Sequence, residues 1–203
     1  MTSEIGKLQK IAAAVSAAAL VVSLSACSSA SEKLAQQFRE GNNKTYIAGD
    51  GTVTEFAAAD RGDSISWSGV TEGGQTLSSD QLTGVVTVVN FWFAGCAPCR
   101  AESKDLVALQ AEFKDQVQFV GVNVRDSAET AMAFDRAHSV NYPSIIDNES
   151  GSVVLAFTDT VSPNAVPTTL VVDKKGRVAS RILGRLEKAT LRALIKTVIA
   201  EKY

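Results

Sequence analysis

One stretch constrains this chain more than any other. Val85 to Trp92 (VVTVVNFW) is a nearly unbroken apolar run, and after Phe93-Ala94-Gly95 it leads into Cys96-Ala97-Pro98-Cys99. The run is β-branched and aromatic with no polar alternation, which marks a strand covered on both faces. A helix is expected from about Pro98 to Phe113, where Leu106, Leu109 and Phe113 recur three and four residues apart. A doubly covered strand that feeds directly into a helix belongs to a layered α/β fold.

The rest of the chain fits that frame. Short β-like runs are expected at Thr52 to Phe56 and Ile65 to Val70. Gly73-Gly74 then offers a hairpin turn before Gln75 to Leu77. Ser78 to Leu82 reads as one helical turn ended by Gly84. Val117 to Val124 is a strand, Ala128 to His138 a helix, Tyr142 to Asp147 an extended segment and Ser152 to Phe157 a brief helix. Thr168 to Asp173 and Arg177 to Leu183 form a hairpin around Lys174-Lys175-Gly176, and Lys188 to Lys202 closes the chain as a helix. Strands alternating with helices pair in parallel and the late hairpin adds antiparallel strands, so the central sheet is mixed.

Placement gives the two cysteines their chemistry. At a helix N-terminus the free N–H groups and the dipole favour negative charge. A cysteine there ionises more readily, and the thiolate is the nucleophile of disulfide exchange. Pro98 suits the first turn, where its missing N–H has no partner to lose. A zinc site would need about four ligands, and beyond this pair the chain has one histidine, His138. A purely structural disulfide is the other reading, but so small a loop adds little entropic stabilisation.

The pair must be set against three cysteines in all, and the third lies in a leader. Lys7 and Lys10 precede Ile11 to Leu24, fourteen uncharged residues. That is short of the about 20 apolar residues of a membrane span and fits a secretory signal. Leu24-Ser25-Ala26-Cys27 resembles the bacterial lipobox. The resemblance implies a signal peptide over 1–26 and a diacylglyceryl group on Cys27. A plain signal peptide or a short anchor helix, with Cys27 incidental, is the alternative. Residues 27–45 read as a tether, with a short helix docked on the domain as the alternative, and 46–203 as one domain. The net charge of −2 gives no electrostatic footprint for nucleic acid. A hydrophobic fraction of 45% argues against wholesale disorder.

Val88-Val89-Asn90-Phe91-Trp92 with Cys96-Ala97-Pro98-Cys99-Arg100-Ala101-Glu102 resembles the thioredoxin superfamily, in particular its extracytoplasmic TlpA/ResA-like branch. Val166-Pro167-Thr168-Thr169-Leu170-Val171-Val172-Asp173 resembles that family's second motif, and Ser78 to Asn90 its approach to the central strand. The likeness covers roughly residues 60 to 200. It implies a thioredoxin-like fold: a central mixed β-sheet flanked by helices, with an N-terminal β-hairpin extension and a helical insertion. It implies that Cys96 is the exposed attacking cysteine and Cys99 the buried resolving one. Pro167 matches a cis-proline facing the pair, which turns the Val166 backbone toward an extended substrate. Glu102 matches an acidic residue that relays protons to the buried thiol, against the plainer reading of a solvated helix glutamate. Asn90 stands where cytoplasmic thioredoxins carry an aspartate. Trp92 is expected to pack below the site and to contribute to substrate binding. The usual tryptophan before the first cysteine is replaced by Gly95, with Phe93 as a substitute aromatic.

The expected function is therefore a membrane-tethered extracytoplasmic thiol–disulfide oxidoreductase. It acts as a reductase of protein disulfides, such as those of apocytochrome c, with electrons from a membrane donor protein. It is expected to be a monomer with no cofactor and no metal. A disulfide-forming oxidant uses the same residues. A thiol peroxidase would need a threonine where Phe93 stands. A copper(I) metallochaperone would use the same two thiols but leaves the Pro167 motif unexplained. His138 and Trp67 are read as structural, and Arg100 as solvated.

Overall fold

The structure, a computed structural model, describes residues 52–160 and 165–202. The expected signal, the lipid site at Cys27 and the 27–45 tether lie outside them. Among the described residues, no helix is long and apolar enough to cross a membrane.

The apolar run forms the centre of the fold. Strands β1 (Val53–Glu55), β2 (Ser68–Val70) and β3 (Thr76–Ser78) precede β4 (Val86–Trp92), all seven of whose residues are buried. Helix α1 (Ala97–Phe113) leads to β5 (Val117–Asn123), and α2 (Ala128–His138) to β6 (Ser144–Ile146). A short α3 (Ser152–Ala156), the hairpin β7 (Thr168–Val172) and β8 (Val178–Leu183), and α4 (Lys188–Ile199) complete it. The main sheet has the order β1-β8-β7-β4-β5-β6. β4 runs parallel to β5 and antiparallel to β7, so the sheet is mixed, as the element order requires.

Side chains alternate across a strand, and β4 uses both faces. Val86 and Val88 join Leu106, Leu109, Leu191 and Ile195 in a core beneath α1 and α4. Val89 and Phe91 join Trp67, Val153 and Phe157 in a second core on the opposite face. Asn90 and Trp92 follow Val88 on the α1 face, and this places a polar residue and an indole under the cysteine pair.

Several expected boundaries move. β1 is shorter than Thr52 to Phe56 and forms the edge of the main sheet, with Val53 opposite Ile182. The strand expected over Ile65 to Val70 is confined to Ser68–Val70. The Ile65 N–H bonds to the Gly176 carbonyl and the Trp67 N–H to Ser79 Oγ, which withdraws both from a ladder. Trp67 lies just before β2, buried in the second core rather than within a hairpin strand. β2 and β3 do form the expected hairpin, with Gly74 in the left-handed region at φ 78°. α4 ends at Ile199, and Glu201 beyond it pairs with Arg61 instead of extending the helix.

Candidate active site

Cys96 is the N-cap of α1, and its sulfur accepts a hydrogen bond from the Cys99 N–H at 3.2 Å. The two cysteines are joined in a disulfide, with Cα atoms 5.3 Å apart. The helix N-terminus directs its partial positive charge at Cys96, the arrangement that favours a thiolate there once the bond is reduced. The expectation of an exposed Cys96 needs correction: it is 0% exposed and Cys99 3%. Cys96 packs in an apolar cluster with Phe93, Val166, Trp92 and Phe134.

The Val166–Pro167 bond is cis. Val166 is 2% exposed and packs in the same cluster as both cysteines. The Pro167 carbonyl accepts from the Gly184 N–H at 2.8 Å. Trp92 is buried below the pair and lies against Phe134, ring centroids 4.5 Å apart, with its Nε1–H donating to Ser144 Oγ. That contact needs glycine at 121 on β5. A Cβ there would sit 2.2 Å from Ser144 Oγ and 2.8 Å from the Trp92 indole nitrogen.

Glu102 is fully buried. Its Oε1 accepts from Asn90 Nδ2 and its Oε2 from the Leu186 N–H, both at 3.0 Å. Burial dominates and pushes its carboxyl up from 4.5 to about 7, against the two hydrogen bonds and the Arg185 charge. The plainer reading, a solvated helix glutamate, is thereby excluded. Asn90 also donates to Thr169 Oγ1 on β7. An uncharged amide there can donate to both neighbours, where an aspartate would face a second carboxylate.

Around this centre lie residues the sequence reading passed over. Asp126 Oδ2 accepts from the Ala94 N–H at 2.6 Å and from Asn123 Nδ2 at 2.9 Å, fixing the loop before Cys96. Arg125 sits over the Phe93 ring, 4.6 Å from its centroid. Gly95 leaves room for that ring: a Cβ there would lie 3.3 Å from Phe93 Cε2. Phe93 thus fills the space beside Gly95, and it is buried rather than a surface aromatic. Only the Asn123-x-x-Asp126 spacing at a strand end, with its turn-forming side chains, signalled the loop anchor. His138 stacks on Phe134 and contacts Ser103 Oγ at 3.2 Å, a structural role as expected. Arg100 is exposed. Among the described residues, no three His, Cys, Asp or Glu side chains gather as a metal set.

Comparison with known proteins agrees with this geometry. A family model described as Redoxin matches residues 48–195. The thiol:disulfide interchange protein HelX of Rhodobacter capsulatus is 30% identical over 60% of this chain and 65% of its own length. The thiol-disulfide oxidoreductase ResA of Bacillus subtilis is 29% identical over 58% of this chain and 64% of its own. The chain thus spans just under two thirds of these relatives. A DsbF homologue from Corynebacterium diphtheriae superposes with a TM-score of 0.66 at 29% identity, over 75% of this chain and 96% of that one. A secreted thiol-disulfide isomerase from Corynebacterium glutamicum gives 0.69 at 26% identity, over 77% and 98%. The fold is thioredoxin-like.

Proposed function

The chain belongs to the Redoxin family, and from that premise we propose that it is a thiol–disulfide oxidoreductase working by dithiol–disulfide exchange at Cys96 and Cys99. One observation carries the reading. The two cysteines form a disulfide at the N-terminus of α1, above a buried carboxyl that burial holds near neutrality.

In the reducing direction, the Cys96 thiolate attacks a substrate disulfide and one substrate thiolate leaves. Cys99 then gives up its proton and attacks the Cys96 sulfur. The mixed disulfide breaks, and the second substrate thiolate departs and is protonated. Two electrons have moved from the pair to the substrate. Glu102, three residues past Cys99 on α1, has its carboxyl pushed up to about 7 by burial, which suits a group that takes and returns that proton. Once the apolar cluster opens, the Val166 backbone, turned by the cis bond to Pro167, pairs with an extended protein segment, and Trp92 supports the pair from below. In the oxidised state a partner reaches Cys96 once the apolar cluster over it opens.

The finer reading is a lipid-anchored reductase outside the cytoplasmic membrane. Cys27 carries the lipid, residues 27–45 are the tether, and a membrane donor protein returns the electrons. Cysteine pairs of apocytochrome c are its candidate substrate. The named relatives, interchange proteins of the HelX and ResA type, support the reaction class. Insulin-disulfide reduction by the full chain and its Cys96→Ser variant tests the exchange; full activity in the variant would overturn it. Mass spectrometry of the membrane fraction tests the lipid at Cys27.

A further inference from the structure

The Glu102 carboxyl has both oxygens engaged and no exposed surface. A proton it exchanges with Cys99 must still reach water. Against Cys99 and Asn90, the amide that donates to Glu102, lies a cavity of about 10 Å³, room for about one water molecule. Its walls include Cys99, Asn90, Ser103, Asp135, Tyr142 and Ser144. One wall carries an unmet demand: Asp135 Oδ1 is buried with no hydrogen-bond partner. Asp135 and Tyr142 also line a second space, an open surface cleft of about 620 Å³ that includes Glu72 and Arg136. Asp135 therefore stands in the partition between the chamber under Cys99 and the solvent.

We infer that Asp135 is the outer station of a proton route, passing the Cys99 proton between the chamber and the open cleft through a water in the cavity. This rests on the exchange chemistry proposed above. When Cys99 attacks the Cys96 mixed disulfide, its S–H bond breaks. The proton, directly or after exchange with Glu102, reaches the cavity water at Cys99 and passes to Asp135, and from there to the solvent in the cleft. In the opposite direction the route delivers a proton to Cys99. Asp135 touches neither sulfur and acts through the water, so it is a positioning residue.

The surroundings suit the role. Burial first, and then the Glu72 charge, push the Asp135 carboxyl up to about 7, with Arg136 opposing. Glu72 comes from the turn between β2 and β3. Arg136 and His138 share α2 with Asp135. Tyr142 faces Asp135 from the segment before β6, held neutral by burial and by the charges of Glu102 and Asp135. Burial thus raises both carboxyls, so each holds a proton more readily than an exposed carboxyl does.

The test is stopped-flow reaction of the reduced full chain with dithiobis-nitrobenzoate. The first release of coloured thiolate reports attack by Cys96, and the second reports attack by Cys99 on the mixed disulfide. In Asp135→Asn the second phase is expected to slow by about tenfold relative to the first, within the reach of positioned proton transfer. Its rise with pH near about 7 is expected to flatten. Glu72→Gln keeps an oxygen that can accept from the Ser144 N–H in the cavity wall and removes a charge that raises Asp135, so the rise is expected to move to lower pH. An unchanged second phase in Asp135→Asn, or an unmoved rise in Glu72→Gln, would overturn the route. Loss of both phases in the unmutated protein would instead overturn the exchange reading.

Discussion

At the scale of single residues, Glu102 carries the most chemistry and has the least solvent. Its folded carboxyl sits near 7 against an ordinary 4.5, so the folded protein holds a proton that the unfolded chain releases. Stability is therefore expected to fall as pH rises from about 4.5 to about 7, by about 3 kcal/mol from this group alone. Glu102→Gln removes that dependence. Urea titrations at several pH values should show the variant gaining on the parent across this window; parallel curves would contradict the buried, neutral carboxyl. The cysteines, Pro167 and the place of Glu102 were legible from motif and spacing. The burial of Glu102 was not, because its cover comes from Leu186, 84 residues away in sequence. Nor was the burial of Cys96. Its cover combines Phe93 with Val166 from the far end of the domain.

At the scale of elements, β4 explains why the site lies where it does. Its two-residue period gives Val86 and Val88 to the helical core and then, on the same face, Asn90 to Glu102 and Trp92 to the cysteine pair. The apolar run and its helix were plain in the sequence, because continuous burial leaves an unmistakable composition. The short edge elements were not. β1 has three residues, and its pairing with β8 depends on a chain segment more than 120 residues away. Ile65 and Trp67 look strand-like, yet loop contacts claim their N–H groups. The β4–β5–β6 junction makes a direct prediction. Gly121→Ala forces the Trp92–Ser144 pair apart and should destabilise the fold by about 1–3 kcal/mol, the usual cost of overpacking. A denaturation midpoint equal to the parent's would show that the junction has slack the structure does not contain.

At the scale of the whole domain, a buried ionic knot ties distant parts of the chain together. Arg61, from the segment before the β2–β3 hairpin, pairs with Asp173 at the β7–β8 turn and with Glu201 beyond α4. Burial alone would raise the Asp173 carboxyl, but the Arg177 N–H and the guanidinium groups of Arg61 and Arg177 hold it below its ordinary 3.8. Its stabilisation is therefore full above about pH 4 and lost on further acidification. Asp173→Ala leaves Arg61 half-paired in a buried site and should cost about 3 kcal/mol by thermal or urea unfolding. The α/β class and mixed sheet followed from element order, whereas this knot did not, because no local pattern joins residues 61, 173 and 201. The proposed reducing direction is read out in the reduction potential of the Cys96–Cys99 pair. A reductant is expected to have a value near about −270 mV, like thioredoxin; a value near about −120 mV, like a dedicated oxidant, would reverse the direction.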